Sequence, residues 1–285
     1  MSAKPEIIFI TGTDTGVGKT IVTCLLLAHL RRKGFPALAL KPFCSGGRAD
    51  AELLRTLQDD ELTLNETNPF YFSEPIAPLV AAREQGRKIT FQEVINRIEG
   101  IIKKPETHNS KTPSLHYSPR RFLLIEGAGG LFSPLGVRPL NWQKNKRAKH
   151  SKNLGKTSVF SALDLIKHLR CRVIVVAANK LGTINHTLLT VTALQMVVRK
   201  HVTVLLSNAV NPKKSLRTKN RQTTSGYDLS CAKNGKIISE LLFPVRVIEI
   251  PHFGEVSESL GFTERFTRLK KICKKNEKTL AKILR

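Results

Sequence analysis

The sequence predicts an α/β protein: a doubly wound, mainly parallel sheet with helices on both faces. Two observations carry that expectation. Short apolar or β-branched runs recur along the chain, and helical patterns separate them. The runs are continuously apolar, as in strands covered on both faces, rather than alternating as in half-exposed ones. "EIIFIT" near the start reads as the first strand, and "KTIVTCLLLAHLRRKG" as a helix closed by Gly34. "ALALKPF" follows as a strand and "DAELLRTLQ" as a helix, and "FQEVINRIEGIIKK" is the next long helical pattern. "RFLLIEGAGG" is a strand ending in a glycine-rich turn; "SALDLIKHLR" is a helix, "CRVIVVAANK" a strand and "NHTLLTVTALQMVVRK" a helix. The strands "HVTVLLSNAV" and "VRVIEIPHF" complete the sheet, and a basic helix or tail spans 263–285. In sheets of this kind ligands collect at the carboxyl ends of the strands, so motifs are expected there.

A chain of 285 residues fits one large domain, here taken as 1–285. Long polar stretches near 105–120, 137–156 and 211–230 read as surface insertions. No run of eighteen apolar residues offers a membrane span, and the N-terminal stretch lacks a secretory pattern, so a cytoplasmic protein is expected. Five cysteines without a Cys-x-x-Cys pair argue against a zinc cluster or disulfide framework. The formal charge of +25 is concentrated downstream. Residues 137–156 hold seven basic and no acidic residues, and 265–285 hold nine basic against one acidic. Such surfaces attract nucleic acid non-specifically through phosphate neutralisation, which by itself implies no function.

The most informative stretch is "ITGTDTGVGKT", at the end of the first strand. It has the Gly-Lys-Thr ending of a phosphate-binding loop, but five residues rather than four separate Gly12 from Gly18. A loop between strand and helix aims backbone N–H groups at phosphate oxygens and adds the positive end of the helix dipole. Lys19 is expected to neutralise terminal phosphates and the Thr20 hydroxyl to ligate Mg²⁺. The fold is therefore expected to be P-loop NTPase-like. Lys41 and Ser45 follow the second strand and should face the same mouth. A lysine ending a strand can equally be solvated, and Asp50 can equally be a helix N-cap. Glu126, an acidic residue after an apolar strand and before a Gly-rich turn, is poorly placed for packing and well placed for a metal. Thr20, Asp50 and Glu126 together would supply the oxygen ligands Mg²⁺ prefers.

The segments "GTDTGVGKT", "KPFCSG", "NPFYFSEPIAP", "EGAGGLFSPL" and "NKLGTINHTLLT" occur in an order and spacing that resemble the dethiobiotin synthetase family. The displaced glycine belongs to that resemblance, which carries Gly-Thr-Asp-Thr ahead of Gly-Lys-Thr and covers roughly residues 6–136, 159–210 and 245–262. It implies an ATP- and Mg²⁺-dependent ligase that makes dethiobiotin, ADP and phosphate from 7,8-diaminononanoate, CO₂ and ATP. Lys41 and Lys19 would be catalytic. Gly16, Val17, Gly18, Lys19, Thr20 and Ile21 would cradle ATP, with Asp50, Glu126, Gly127, Ala128 and Gly129 beside them. Asn208 would read adenine, though it could be an ordinary strand-end residue, and Pro251, His252, Phe253 and Glu258 would line base and ribose. Thr15 and Ser45 would contact substrate, and the turn Gly182, Thr183, Ile184 and Asn185 would offer N–H groups to its carboxylate across a homodimer interface. His186 reads as a helix-start residue packed against a neighbour. The basic surface keeps a rival open, a partition-type ATPase that binds DNA. Thr13 and Asp14 stand where that class carries an additional lysine. A cobyrinate-type amide synthase would need a glutaminase domain, for which the chain has no catalytic cysteine motif.

Overall fold

The computed structural model describes residues 4–104, 120–139, 157–198, 201–208, 231–251, 256 and 260–285. Its centre is a six-stranded, wholly parallel sheet. The strands are β1 (Glu6–Gly12), β2 (Ala37–Leu40), β5 (Phe122–Glu126), β8 (Arg172–Asn179), β9 (Val202–Asn208) and β10 (Arg246–Ile250). Their spatial order is β10-β9-β8-β1-β5-β2, so the chain leaves β1 toward one edge and later returns to fill the other. This is the doubly wound class the apolar runs predict, with a topological switch beside β1.

Both faces are covered because successive side chains of each strand point to opposite sides. Ile7, Phe9, Leu123, Ile125, Val173 and Val175 enter one core, with α5 (Phe91–Lys103), α6 (Ala162–Leu169), α7 (Thr183–Gln195) and α8 (Cys231–Leu241). Ile8, Ile10, Leu124, Ile174 and Val176 enter the other, with α1 (Lys19–Arg32), α2 (Ala49–Leu57), α9 (Phe262–Lys275) and α10 (Glu277–Leu284). The basic C-terminal stretch is thus two helices that contribute Leu269, Cys273, Leu280 and Ile283 to a core.

Several local expectations need correction. "ALALKPF" is not one strand: β2 ends at Leu40 and a short β3 (Phe43–Ser45) begins after Pro42. Proline offers no N–H to continue the ladder, and the Asn68 side chain takes the Lys41 carbonyl at 2.9 Å. β3 pairs in parallel with β4 (Phe70–Phe72), just after the short α3 (Leu64–Thr67), and α4 (Pro78–Glu84) follows. The stretch expected as a loop from 137 begins inside β6 (Gly136–Pro139), which pairs antiparallel with β7 (Thr157–Phe160). Gly182–Asn185 is not a free turn. Gly182 adopts φ +88° as the N-cap of α7, and the next three residues form its first helical turn. His186 is exposed rather than packed. Residues 105–119, 140–156 and 211–230 of the expected insertions lie outside the described residues.

Candidate functional site

The ends of β1, β2 and β5 open into one cleft of ≈ 580 Å³. The loop after β1 supplies its floor. Gly16 and Gly18 have φ +69° and +97°, values that side chains oppose, and Gly18 is the N-cap of α1. Gly12 is required for a different reason: a Cβ there would lie 2.8 Å from Val17 Cγ2 and 2.9 Å from the Asp14 carbonyl. The early glycine is therefore where the longer loop folds over itself. The Asp14 carbonyl also accepts a 2.8 Å hydrogen bond from Lys19 Nζ. Burial pulls the pKa of Lys19 down to about 8, although Glu126, Asp14 and Asp50 act to raise it.

Lys41, Asp50 and Glu126 arrive from three different elements. Lys41 follows β2, Asp50 is the second residue of α2, and Glu126 ends β5 opposite Ile10 of β1. Asp50 does not cap its helix, whose N-cap is Arg48. Its Oδ2 lies 2.5 Å from Lys41 Nζ and 3.0 Å from the Thr20 hydroxyl. Glu126, 1% exposed, brings Oε1 to 2.7 Å from the same hydroxyl and 3.0 Å from Lys41 Nζ. Lys41 Nζ is also 3.1 Å from Thr20 Oγ1. An ammonium thus stands among the three oxygens that sequence reasoning grouped as magnesium ligands. Burial alone would lower the Lys41 pKa, but Glu126 and Asp50 outweigh it and hold the group charged above the ordinary lysine range. Burial likewise pushes the Asp50 carboxyl up, while Lys41, Thr20 and Arg265 hold it below its usual value. Glu126 Oε2 is buried with no partner.

Thr15, Gly16, Gly18, Ile21, Ser45, Gly127, Ala128 and Gly129 line the same cleft. Val17 lies in the loop but is buried beneath it in the core. Ser45 Oγ is buried without a hydrogen-bond partner, a polar atom left for something that enters. Other expected residues stand apart from this lining. Asn208 Oδ1 accepts from Asn179 Nδ2 at 2.7 Å, in a polar cluster that includes Asn234. Gly182–Asn185 open α7, next to β8, and Pro251 is exposed after β10. His252, Phe253 and Glu258 lie outside the described residues. Sequence reasoning missed Arg265, on α9, which lines the cleft.

Nucleotide phosphates, a hard cation and a lysine-assisted transfer could all be served by such a cleft. Comparison with known proteins narrows the choice. Residues 6–146 and 151–257 match a family model described as an AAA domain. The ATP-dependent dethiobiotin synthetase BioD of Anaeromyxobacter sp. (strain Fw109-5) is 36% identical over 192 residues, covering 66% of this chain and 70% of that one. The protein of the same name from Bacillus licheniformis is 35% identical over 197 residues, 67% of this chain and 68% of that one. The chain belongs to the dethiobiotin synthetase family. A ParA family ATPase from Chlorobium tepidum aligns over 99% of each chain, at 13% identity and a TM-score of 0.44, too distant to bear on what a dethiobiotin synthetase family member does.

Proposed function

We propose that the chain makes dethiobiotin from 7,8-diaminononanoate, CO₂ and ATP. The observation that carries this reading is the meeting of the phosphate loop, Lys41, two carboxylates and the unsatisfied Ser45 hydroxyl in one cleft of a dethiobiotin synthetase family member. One amine of the substrate adds to CO₂ and loses a proton, giving a carbamate. A carbamate oxygen then attacks the γ-phosphorus of ATP, releasing ADP and leaving a carbamic–phosphoric anhydride. The second amine attacks the carbamoyl carbon; phosphate departs with the C–O bond pair, the nitrogen loses a proton and the cyclic urea closes.

The protein's work in these steps is positioning and charge compensation. Gly16, Gly18, Lys19 and Ile21 hold the phosphate chain, Lys41 faces the carbamate and the transferring phosphoryl group, and Ser45 orients the substrate. The donor set of Thr20 Oγ1, Asp50 Oδ2 and Glu126 Oε1 suits Mg²⁺, and the ammonium already centred on it supports a cation there. When bound, Mg²⁺ would offset charge on the β- and γ-phosphates. Lys41 would serve the substrate from a side-chain position away from the carboxylates it pairs with here.

We also infer a homodimer. Leu189 on α7, Leu181 just before its N-cap and Met196 at its C-cap are 63%, 78% and 84% exposed, and the first turn of α7 is the segment expected to face a partner's substrate. The decisive assay is phosphate release from Mg-ATP with bicarbonate, with and without the diamine, using Lys41→Ala as control. Diamine-dependent release that the variant loses is the expected result. Release that ignores the diamine and responds to DNA would replace this reading with the partition-type one.

A further inference from the structure

The family match stops at residue 257, and α9 lies beyond it. Charges in this basic helix would ordinarily be solvated, yet Arg265, in its first turn, is only 5% exposed. It lines the cleft with the phosphate loop. Its Nη2 lies 3.5 Å from Asp50 Oδ1, a loose ion pair, and its Nε is buried without an acceptor. Burying a guanidinium with so little compensation is costly, so its position requires a further partner. The placement is also firm: Leu269 and Cys273, at 0% and 2% exposure on the same face of α9, seat the helix in the core that contains α1.

Charge shows what the partner would be. The described cleft lining carries three cations, Lys19, Lys41 and Arg265, and two carboxylates, Asp50 and Glu126. Lys41 touches both carboxylates. Without Arg265 the lining would be neutral, and a phosphate chain entering at Lys19 would meet no excess positive charge. We infer that Arg265 is an anion-binding residue of the nucleotide site, its guanidinium serving the phosphates of the bound nucleotide. α9 thereby contributes to the site a group that lies outside the family's shared segment. The inference rests on the nucleotide-binding half of the proposed function and is independent of the diamine.

The test is calorimetric titration of the full chain with ADP in EDTA, and with adenosine, for the unsubstituted protein, Arg265→Met, Arg265→Lys and Lys19→Ala. Arg265→Met is expected to bind ADP about tenfold more weakly, a loss typical of one charge-assisted contact, with adenosine affinity unchanged. Arg265→Lys should keep most of the ADP affinity. The unsubstituted protein should lose ADP affinity with added salt more steeply than Arg265→Met, and this slope decides if adenosine is too weak to titrate. Undiminished ADP affinity in Arg265→Met, equal loss of ADP and adenosine, or an unchanged salt slope would overturn the inference. If the unsubstituted protein binds no ADP, the nucleotide reading falls and this inference with it. If ADP binds but the diamine elicits no phosphate release, only the biotin reading fails.

Discussion

Lys41 has one observed position and another that the proposed function calls for. Its ammonium lies 2.5 Å from Asp50 and 3.0 Å from Glu126, whereas the proposed chemistry would need it at the substrate. Removing it should therefore have separate consequences for stability and for activity. Lys41→Ala leaves the buried Glu126 carboxylate facing Asp50 without the ammonium between them, with only the loose Arg265 pair and Lys19 in compensation, which should cost about 3 kcal/mol in metal-free buffer. Added Mg²⁺ should then raise the melting temperature of the variant more than that of the unsubstituted protein, while its diamine-dependent phosphate release falls by about a hundredfold or more. Thermal melts with and without Mg²⁺ check the first effect; an equal shift in both proteins would mean that the three oxygens do not hold the cation. Gly12 makes a sharper case, because its Cβ would meet the loop's own backbone. Gly12→Ala should keep the sheet, as read by circular dichroism, yet lose at least about tenfold in ADP affinity in a titration.

The C-terminal helices brace the phosphate loop from behind, since α9 and α10 pack on α1, the helix that Gly18 opens. Leu269→Ala empties a fully buried position and should destabilise the fold by about 3 kcal/mol in urea unfolding. Glu277, at the start of α10, pairs with Lys33 and Arg32 at the end of α1, and those hydrogen bonds lower its pKa from 4.5 to about 2. A carboxylate with a depressed folded pKa stabilises above its unfolded value and loses that contribution as pH falls toward the folded one. The stability difference between the unsubstituted protein and Glu277→Gln should therefore shrink as pH falls from about 4.5 toward 2, as denaturant melts across that range would show. Elements with long apolar runs were legible in the sequence, because a strand buried on both faces leaves no other pattern. β4, β6 and β7 were not, since three or four residues are too few for a period to register, and β2 was legible only within a run that also took in the start of β3. The convergence of Thr20 with Asp50 and Glu126 was anticipated from motif order, but not the ammonium among them, which only tertiary contacts reveal. Arg265 left a signal that composition hid: it stands four and eight residues before Leu269 and Cys273, on the apolar face of an otherwise basic helix.

For the whole molecule, the question is whether one chain completes the site. The exposed apolar side chains on α7 and at its two ends, Leu181, Leu189 and Met196, fall outside the cleft, on the helix whose start would have to reach a partner's substrate. Exposed apolar side chains of this kind favour being covered, and a two-fold arrangement would cover them with the same helix of a second copy. Leu189→Glu should then shift the protein from dimer to monomer in light scattering and reduce activity without unfolding it. Complementation tests the shared site directly. If the site is composite, Lys41→Ala and Asn185→Pro, which removes one of the N–H groups the turn would offer, fail in different halves, so in a mixed dimer one of the two sites has both halves intact. Random exchange of subunits makes half the dimers mixed, and activity should recover to about a quarter of the unsubstituted level. No recovery after confirmed exchange would place each site within a single chain, and the exposed face of α7 would need another occupant.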